Sequence, residues 1–261
     1  MGNLMHEQDI ARLAQLIDQA ASEGVAVPQF SLQQAFTVAE AYAIQAASMQ
    51  RRYTRGEKLI GVKMGFTSQA KMAQMGLKDM IFGRLTDAMW IENGGTLSLK
   101  SLIHPRVEPE ICFLVNKTID RELAATEVQA YISGVAAALE IIDSRYAHFQ
   151  FSLEDVIADN CSAAAFVVGA WHDAATPVNH LSLQLEVDGA VVQSGTSDAI
   201  LGDPWASVLA ASRLATQYGQ VIPAGACILA GAATPAVFLL PGASVRVRVE
   251  TLGDAGFTVT P

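Results

Sequence analysis

The stretch IHPRVEPEICFLV, residues 103–115, carries two carboxylates inside an otherwise apolar run. Side chains alternate between the two faces of a β-strand, so a strand here would have one polar and one apolar face. Glu108 and Glu110 share the polar face, about 6.5–7 Å apart along the chain, and can point to one site. A solvent-exposed polar face explains the same pattern. Pro109 indicates an edge position or a bulge, because proline cannot donate a ladder hydrogen bond.

The composition of the whole chain is that of a globular protein. Its 261 residues are 51% hydrophobic and 16% charged, and this length can bury a sizeable core. A surface so poor in charge favours partial coverage by other subunits, and we expect a homo-oligomer. The net charge is −9, and no basic run extends beyond Arg51-Arg52, which argues against a nucleic-acid partner.

Neither secretion nor membrane insertion is indicated. The first thirty residues read as an amphipathic helix without the basic start and cleavage site of a signal peptide. No run approaches the roughly 18 apolar residues that a membrane span needs. Three widely spaced cysteines, Cys112, Cys161 and Cys227, form no C-x-x-C pair. They favour a reducing cytoplasm and read as core residues rather than nucleophiles.

The chain divides into a helical N-terminal region, residues 1–58, and a β-rich catalytic domain, residues 59–261. Apolar residues recur at helical spacing in DIARLAQLIDQA and LQQAFTVAEAYAIQAASMQRRY, which Gly24 and Pro28 separate. From Leu59 onward, short β-branched runs are punctuated by glycine and proline. Asp188-Gly189, within EVDGAV, predicts a tight β-hairpin.

Three helices are expected to interrupt the strands. TEVQAYISGVAAA would begin at Thr126 and SLEDVIAD at Ser152, since both residues are good helix caps. DPWASVLAASRLATQYG would have Pro204 in its first turn and Gly219 just past its end. The fold class is therefore a β-rich α+β mixture.

A third carboxylate strengthens the case for a site. Glu140 lies in the apolar, strand-like run ALEII, where an unpaired charge would be costly. A core glutamate paired with an arginine explains Glu140 equally well. Taken together, three glutamates without histidine or cysteine at ligand spacing favour Mg²⁺ or Mn²⁺ over zinc.

Several motifs, in this order and spacing, resemble the hydratase/decarboxylase group of the fumarylacetoacetate hydrolase superfamily. They are IGVKMGFTSQAKMAQMG, FGRLTDAM, IHPRVEPEI, ALEIIDSRY, VIADNCSAAAFVVG and LAGAAT. The resemblance covers the chain from about residue 30 onward. This group contains the 2-keto-4-pentenoate hydratases and 4-oxalocrotonate decarboxylases of aromatic meta-cleavage pathways.

The resemblance implies a fold and a set of site residues. The fold is a twisted β-roll beside a smaller helical N-terminal region. Glu108, Glu110 and Glu140 match the family carboxylates that hold Mg²⁺, for which Mn²⁺ can substitute, and Lys63 matches an active-site lysine. Without the family match, Lys63 would read as an exposed strand lysine. Ser162 matches a serine that hydrogen-bonds the substrate, a small 2-oxo acid.

Within this group the sequence favours decarboxylation of 2-oxo-3-hexenedioate over hydration of 2-hydroxypenta-2,4-dienoate. Hydratases usually carry an acidic residue before the aromatic-glycine pair, and this chain has Ile81 before Phe82-Gly83. The family also usually has Ser-Ser where this chain has Ser162-Ala163. Both changes remove polar groups that could activate water.

Other assignments rest on less. Thr234 and Arg145 are expected to contact a substrate carboxylate, although Arg145 could instead pair with Asp143 or a backbone carbonyl. The Met-rich residues 68–80 fit either a lid over the site or a packed surface helix.

Two other classes of function stay open. One is an acylpyruvate-type C–C hydrolase, although the His-Glu pair of such enzymes is missing before Glu108, apart from the remote His6-Glu7. The other is an idle subunit that only binds a partner, because family decarboxylases associate with their pathway hydratase. A complex with that pathway partner is expected for an active enzyme as well.

Overall fold

The computed structural model describes residues 5–67 and 79–261. Most of the expected lid, residues 68–80, therefore lies outside the described residues. Four α-helices lie within them: α1 Glu7–Glu23, α2 Val38–Thr54, α3 Leu153–Ala158 and α4 Trp205–Gln217.

After residue 58, β-strands are the main regular secondary structure of the described residues. In chain order they are β1 Leu59–Gly65, β2 Ile81–Thr86, β3 Trp90–Ile91, β4 Thr96–Ser98, β5 Arg106–Val115, β6 Ile132–Ile142, β7 Ala163–Val168, β8 His172–Asp173, β9 Ser182–Val187, β10 Ala190–Thr196, β11 Cys227–Leu229, β12 Val237–Phe238, β13 Ser244–Val249 and β14 Gly253–Thr260. The fold is the expected α+β mixture, with a β-rich core and a helical N-terminal region.

Two sheets contain the strands of the described residues. The larger runs β2-β1-β11-β5-β6-β7-β3, with β12 also pairing with β5 and β8 with β6. The smaller runs β10-β9-β13-β14-β4. The antiparallel pair β5–β6 keeps one register from Arg106 opposite Ile142 to Leu114 opposite Gly134, shifts by one residue before Val115, and forms the centre of the larger sheet.

The burial of β5 confirms that its side chains alternate between the two faces of the sheet. Val107, Ile111 and Phe113 are fully buried in the main hydrophobic core. Cys112, on the opposite face, joins a smaller core cluster with residues such as Ala136, Ala138 and Leu229. Both faces of the larger sheet are therefore covered, and the carboxylates lie within the protein rather than on a solvent-exposed face.

Helix boundaries follow the capping residues. Gly24 ends α1 in the left-handed conformation with φ of 65°. The second helix begins at Val38, later than the periodicity suggested, because Thr37 and Glu40 form a capping box there. Ser152 caps α3 in the same way, with Asp155 as its partner. The α1 and α2 helices contribute Leu13, Ile17 and Ile44 to the main core, so the division at residue 58 stays a prediction about domains.

The helix expected from Thr126 is wrong. A short 3₁₀ turn spans Val128–Tyr131, and the chain then runs as β6 through Ile132–Ile142. The alanines favour a helix by propensity, but pairing with β5 on one side and β7 on the other buries them in the sheet.

Pro109 occupies neither an edge nor a bulge, contrary to expectation. It lies opposite Leu139 in the centre of the larger sheet. On the other side of β5, β11 pairs with residues 112–114 and β12 with residues 106–107. Pro109 faces the gap between these two strands, where its carbonyl accepts a hydrogen bond from the Ala233 N–H at 2.9 Å. The missing donor therefore falls where the ladder is interrupted.

The hairpin expected at Asp188-Gly189 is confirmed, with φ of 52° and 80° between β9 and β10. Within the described part of the chain, no helix combines the length and the apolar character needed to cross a membrane.

Candidate active site

Strand register brings the three glutamates together. Glu108 lies directly opposite Glu140 in the β5–β6 pair, so both side chains leave the same face of the sheet. Glu110 lies on this face two residues further along β5. One carboxylate oxygen from each residue lies within 4.8 Å of the others. The geometry unites residues that are about thirty positions apart in the sequence.

Two of the three carboxylates carry buried oxygens without a hydrogen-bond partner among the described residues. Glu110 and Glu140 are fully buried, and Glu108 is half-buried. Oε2 of Glu110 accepts a hydrogen bond from the Gly231 N–H at 2.8 Å. Buried Oε1 atoms of Glu110 and Glu140 have no hydrogen-bond partner among the residues that the structure describes. Such atoms are costly unless a cation or a proton satisfies them.

Burial raises the pKa of Glu110 well above its usual value, and the nearby charge of Glu140 raises it further against the opposing effect of Lys63. Burial also raises the pKa of Glu140, although Lys63 opposes this shift. A site made only of carboxylate oxygens, and this short of positive charge, fits a hard divalent cation such as Mg²⁺.

Lys63 is part of the same cluster and is not an exposed strand lysine. It lies on β1 and is buried, with 4% of its surface exposed. Its Nζ lies 3.0 Å from Oε2 of Glu140 and donates to the Cys161 carbonyl at 3.0 Å. Burial would lower the pKa of Lys63, but the attraction of Glu140 and the other nearby anionic groups outweighs burial and raises it. The side chain is therefore a stable buried ammonium.

A cavity of about 160 Å³ opens beside Lys63 and Glu108. Its polar lining includes Thr67 and Ser162. Most of the remaining wall is apolar and is formed by Met64, Phe66, Ile81, Ile142, Phe149, Phe151 and Val156. The lining therefore combines a few charged and polar groups with a mostly apolar wall, which is suited to the carbon skeleton of a ligand.

Ser162 and Ile81 both line the cavity, as the sequence suggested. The Ser162 hydroxyl is buried and has no hydrogen-bond partner in the described part of the chain, so it is available to a ligand. Ala163 does not line the cavity. It is buried in the smaller core cluster, so its lack of a hydroxyl does not alter the wall.

Neither Arg145 nor Thr234 is among the described residues that line the cavity. Arg145 is buried and forms an ion pair with Asp159, rather than with Asp143. Its guanidinium also donates to the backbone carbonyls of Asp143, Asp159 and Ala163. The Thr234 hydroxyl donates to the Pro235 carbonyl at 3.2 Å. Arg145 therefore binds backbone carbonyls, which was one of the alternatives for this residue. Direct contact of Arg145 or Thr234 with the substrate stays a prediction without geometric support.

Two aromatic residues of the cavity were missed in the sequence. Phe149 and Phe151 lie 5.8 Å apart between ring centroids, and Phe149 also stacks on the Arg106 guanidinium at 4.1 Å. The sequence feature that could have indicated these two residues is their position in the segment AHFQF, directly after the family motif DSRY. Cys161 lines the cavity too, but burial raises the pKa of its thiol to about 12, which agrees with a core residue rather than a nucleophile.

Comparisons with known proteins agree with this geometry. The sequence profile of the fumarylacetoacetate hydrolase C-terminal family matches residues 36–260. A 4-oxalocrotonate decarboxylase from Pseudomonas sp is 52% identical over 251 residues, which cover 96% of this chain and 98% of the relative. A 2-keto-4-pentenoate hydratase from Paraburkholderia xenovorans (strain LB400) is 33% identical over 225 residues, covering 83% and 82% of the two chains.

Solved structures give the same result. The 4-oxalocrotonate decarboxylase from Pseudomonas putida G7, complexed with magnesium and adipate, superposes with a TM-score of 0.93 at 33% identity, covering 99% of this chain and all of the other. A fumarylpyruvate hydrolase from Pseudomonas aeruginosa, with a TM-score of 0.61 and 15% identity over 77% of this chain and 89% of its own, shares the fold. The chain belongs to the fumarylacetoacetate hydrolase family, within its group of 4-oxalocrotonate decarboxylases and 2-keto-4-pentenoate hydratases.

Proposed function

We propose that this protein is a lyase that decarboxylates 2-oxo-3-hexenedioate (4-oxalocrotonate) to 2-hydroxypenta-2,4-dienoate in the meta-cleavage catabolism of aromatic compounds. The observation that carries the proposal is a cavity lined by Lys63 and Glu108, which belong to the cluster of three carboxylates and one buried ammonium, and by a largely apolar wall that includes Ile81. The relative with 52% identity, which is a 4-oxalocrotonate decarboxylase, supports the same choice.

The reaction requires an electron sink at the C2 oxygen of the substrate. The C5–C6 bond breaks, C6 leaves as CO2, and the bonding electrons move through the C3–C4 double bond to the C2 oxygen. Protonation of that oxygen gives the dienol. A site that favours negative charge at the C2 oxygen over charge on the departing carboxylate accelerates this step.

The three glutamates would hold the divalent cation, Mg²⁺ with Mn²⁺ as a substitute, through the oxygens that lie within 4.8 Å of one another. When bound, the cation supplies Lewis acidity toward the 2-oxo acid group. Glu110 is oriented for this role by its hydrogen bond from Gly231, and Glu140 by its ion pair with Lys63.

Lys63 would hold a positive charge beside the developing oxyanion, a role that its raised pKa favours over delivery of a proton. Its ammonium is buried, so it interacts with a developing negative charge in a medium of low polarity, where such interactions are strong. Ser162, with its free hydroxyl in the cavity, would hydrogen-bond the polar end of the substrate.

The apolar wall serves decarboxylation in a different way. Ile81, Phe149 and Phe151 surround the part of the cavity where a localised carboxylate gains few polar contacts. Such surroundings disfavour the departing carboxylate relative to the delocalised dienolate and neutral CO2. None of these three side chains is acidic, so none of them can activate water for hydration.

Hydration of 2-hydroxypenta-2,4-dienoate is the second candidate, because relatives at 33% identity are hydratases. Purified protein with Mg²⁺ should be assayed with both substrates, following CO2 release from the hexenedioate and formation of 4-hydroxy-2-oxopentanoate from the pentadienoate. Faster release of CO2 supports the decarboxylase. Faster hydration transfers the assignment to the hydratase.

We further propose a cytoplasmic homo-oligomer that associates with the hydratase of its pathway. Support comes from the low charge content and from exposed apolar side chains such as Phe238 and Leu240, which are 59% and 67% exposed. Sedimentation of the protein alone, and then mixed with the hydratase, tests both associations. A monomer that sediments unchanged in the mixture contradicts both.

A further inference from the structure

Three consecutive residues beside the cavity adopt the left-handed backbone conformation. Asn160, Cys161 and Ser162 have φ of 49°, 53° and 58°. This conformation costs roughly 1–2 kcal/mol for an ordinary L-residue, although asparagine tolerates it better than most. Two of the three residues line the cavity, so the turn belongs to the site, and its surroundings must hold it in place.

The side chain of Asn160 fastens the turn to β2. Its Oδ1 accepts a hydrogen bond from the Arg84 N–H at 2.7 Å, and its Nδ2 donates to the Arg84 carbonyl at 2.8 Å. The preceding residue, Gly83, leaves room for this contact, because a Cβ there would lie 2.5 Å from the Asn160 carbonyl oxygen. Gly83 is also the register partner of Lys63 on β1. The turn is therefore fixed directly against the strand beside the lysine.

Arg145 holds the turn from its two ends. Its guanidinium donates to the carbonyls of Asp159 and Ala163, the residues that flank the turn. This arrangement leaves the Cys161 carbonyl free to accept from Lys63 Nζ at 3.0 Å, while the same Nζ lies 3.0 Å from Glu140. The turn thus supplies one of the two groups that orient the ammonium.

We propose that Asn160 is a positioning residue: by locking the left-handed turn against β2, it makes the Cys161 carbonyl direct the Lys63 ammonium toward the cavity. The proposal rests on the role given to Lys63 in the proposed function. Loss of the Asn160 side chain should therefore reduce kcat only when Lys63 is present. A misplaced Lys63 ammonium weakens transition-state binding more than substrate binding.

The test combines Asn160→Ala with Lys63→Met in a double-mutant cycle. Asn160→Ala alone should reduce kcat for CO2 release about tenfold, with KM and Mg²⁺ affinity within about twofold of the original values. In the Lys63→Met background the same substitution should change kcat by less than about twofold, since the group it positions is already gone. An undiminished tenfold loss in that background overturns the proposal.

Asn160→Gly separates the side chain from the backbone. Glycine adopts the left-handed conformation without strain, so this variant tolerates the turn but loses the two side-chain hydrogen bonds that fasten it to Arg84 on β2. It should lose as much kcat as Asn160→Ala, and it also decides the matter if the alanine variant does not fold. Activity within about twofold of the original overturns the role of the side chain.

Ser212→Ala is the matched control for a lost buried hydrogen bond away from the site. The Ser212 hydroxyl is buried in α4 and accepts from the Leu123 N–H at 3.0 Å. This variant should lose stability with kcat unchanged. Full activity of Lys63→Met alone would instead refute the role given to Lys63 in the proposed function, whereas an Asn160 effect that is equal in both backgrounds overturns only this inference.

Discussion

Lys63 combines burial with a raised pKa, and both follow from its neighbours Glu140 and Cys161. Replacing it with methionine keeps the length of the side chain and removes the charge. We expect Lys63→Met to reduce kcat on the order of 10²-fold or more, the range for loss of one oxyanion stabiliser or acid–base group. Steady-state assay of CO2 release measures this effect.

Lys58→Met is the matched control, because Lys58 is exposed and precedes β1. It should leave kcat unchanged. Mg²⁺ affinity should change much less than kcat in Lys63→Met, since the lysine does not contribute a ligand. A lysine variant with full turnover would show that the ammonium has no part in the reaction.

Glu110 contributes a buried carboxylate whose second oxygen has no described hydrogen-bond partner. Glu110→Gln keeps the shape but weakens the cation site, so Mg²⁺ affinity and activity should fall together, by at least about tenfold in affinity. Calorimetric titration with Mg²⁺ measures the affinity directly. Glu92→Gln, at an exposed position, is the control. Unchanged affinity in the Glu110 variant refutes its assignment as a ligand.

How far single residues could be identified from the sequence depended on their surroundings. Glu108 and Glu110 followed from alternation, because a strand places them on one face whatever its partners. Arg145 did not, since its partners are backbone carbonyls that only the folded chain brings near it. The left-handed turn at Asn160 was missed for a similar reason, because the hydrogen bonds that hold it come from the backbone of β2, 76 residues away in the sequence.

Strand β2 begins with Ile81, which is buried and lines the cavity. A carboxylate at this position would repel the second carboxylate of the hexenedioate and could act as a base toward water. Ile81→Asp should therefore narrow the preference for decarboxylation over hydration. The measurement is the ratio of kcat/KM for the two reactions in one preparation, so that any loss of folded protein cancels.

Ile81→Leu, which keeps the wall apolar, should leave that ratio near its original value. An unchanged or larger ratio in Ile81→Asp would exclude this position as a determinant of the reaction.

Helices α1 and α2 are joined by a buried carboxylate. Asp18 on α1 accepts hydrogen bonds from Arg51 at 2.8 Å and Arg55 at 2.6 Å, around the end of α2. Burial opposes ionisation of Asp18, but the hydrogen bonds from Arg55 and Arg51 outweigh it and lower the pKa below 3.8. Because the two arginines are about half exposed, we expect Asp18→Asn to cost only about 1–2 kcal/mol at neutral pH.

The lowered pKa of Asp18 determines how its contribution to stability changes with pH. The contribution of Asp18 is fully present above about pH 4, the usual range of an unfolded aspartate, and is lost as the pH falls through the folded value. The difference in unfolding free energy between the original protein and Asp18→Asn should become smaller in acid. Urea denaturation at each pH measures this difference. Asp9→Asn, at a more exposed ion pair of α1, is the control. A difference that stays constant down to pH 2 would contradict the pairing.

Elements with strong local signals were predicted correctly. The cap at Ser152, the break after the first helix at Gly24 and the hairpin at Asp188 depend on a few adjacent residues, and the structure has them. The prediction for the segment before Glu140 was wrong because GVAAAL, residues 134–139, is buried along its whole length in a strand covered on both faces. Such a run has no period of two, and its alanines resemble a helix.

For the whole molecule, the preference between reactions is the decisive quantity. We expect kcat/KM for CO2 release from 2-oxo-3-hexenedioate to exceed that for hydration of the pentadienoate by at least roughly tenfold, about 1.4 kcal/mol in transition-state binding. The reason is the combination of a polar end and an apolar wall in one cavity. Parallel assays at saturating Mg²⁺ measure the ratio, and a value below one contradicts the assignment.

Pro109 has a consequence for how the chain aligns its strands during folding. A strand can slip by two residues against its neighbour and still keep each side chain on its own face. On β5, such a slip of β12 would bring Val237 opposite Pro109, where the absent N–H would leave a buried carbonyl unpaired at a cost of about 1–3 kcal/mol. Pro109 therefore disfavours this alternative pairing of β12 with β5. It helps to select the observed pairing, in which the Gly231 N–H donates to Glu110.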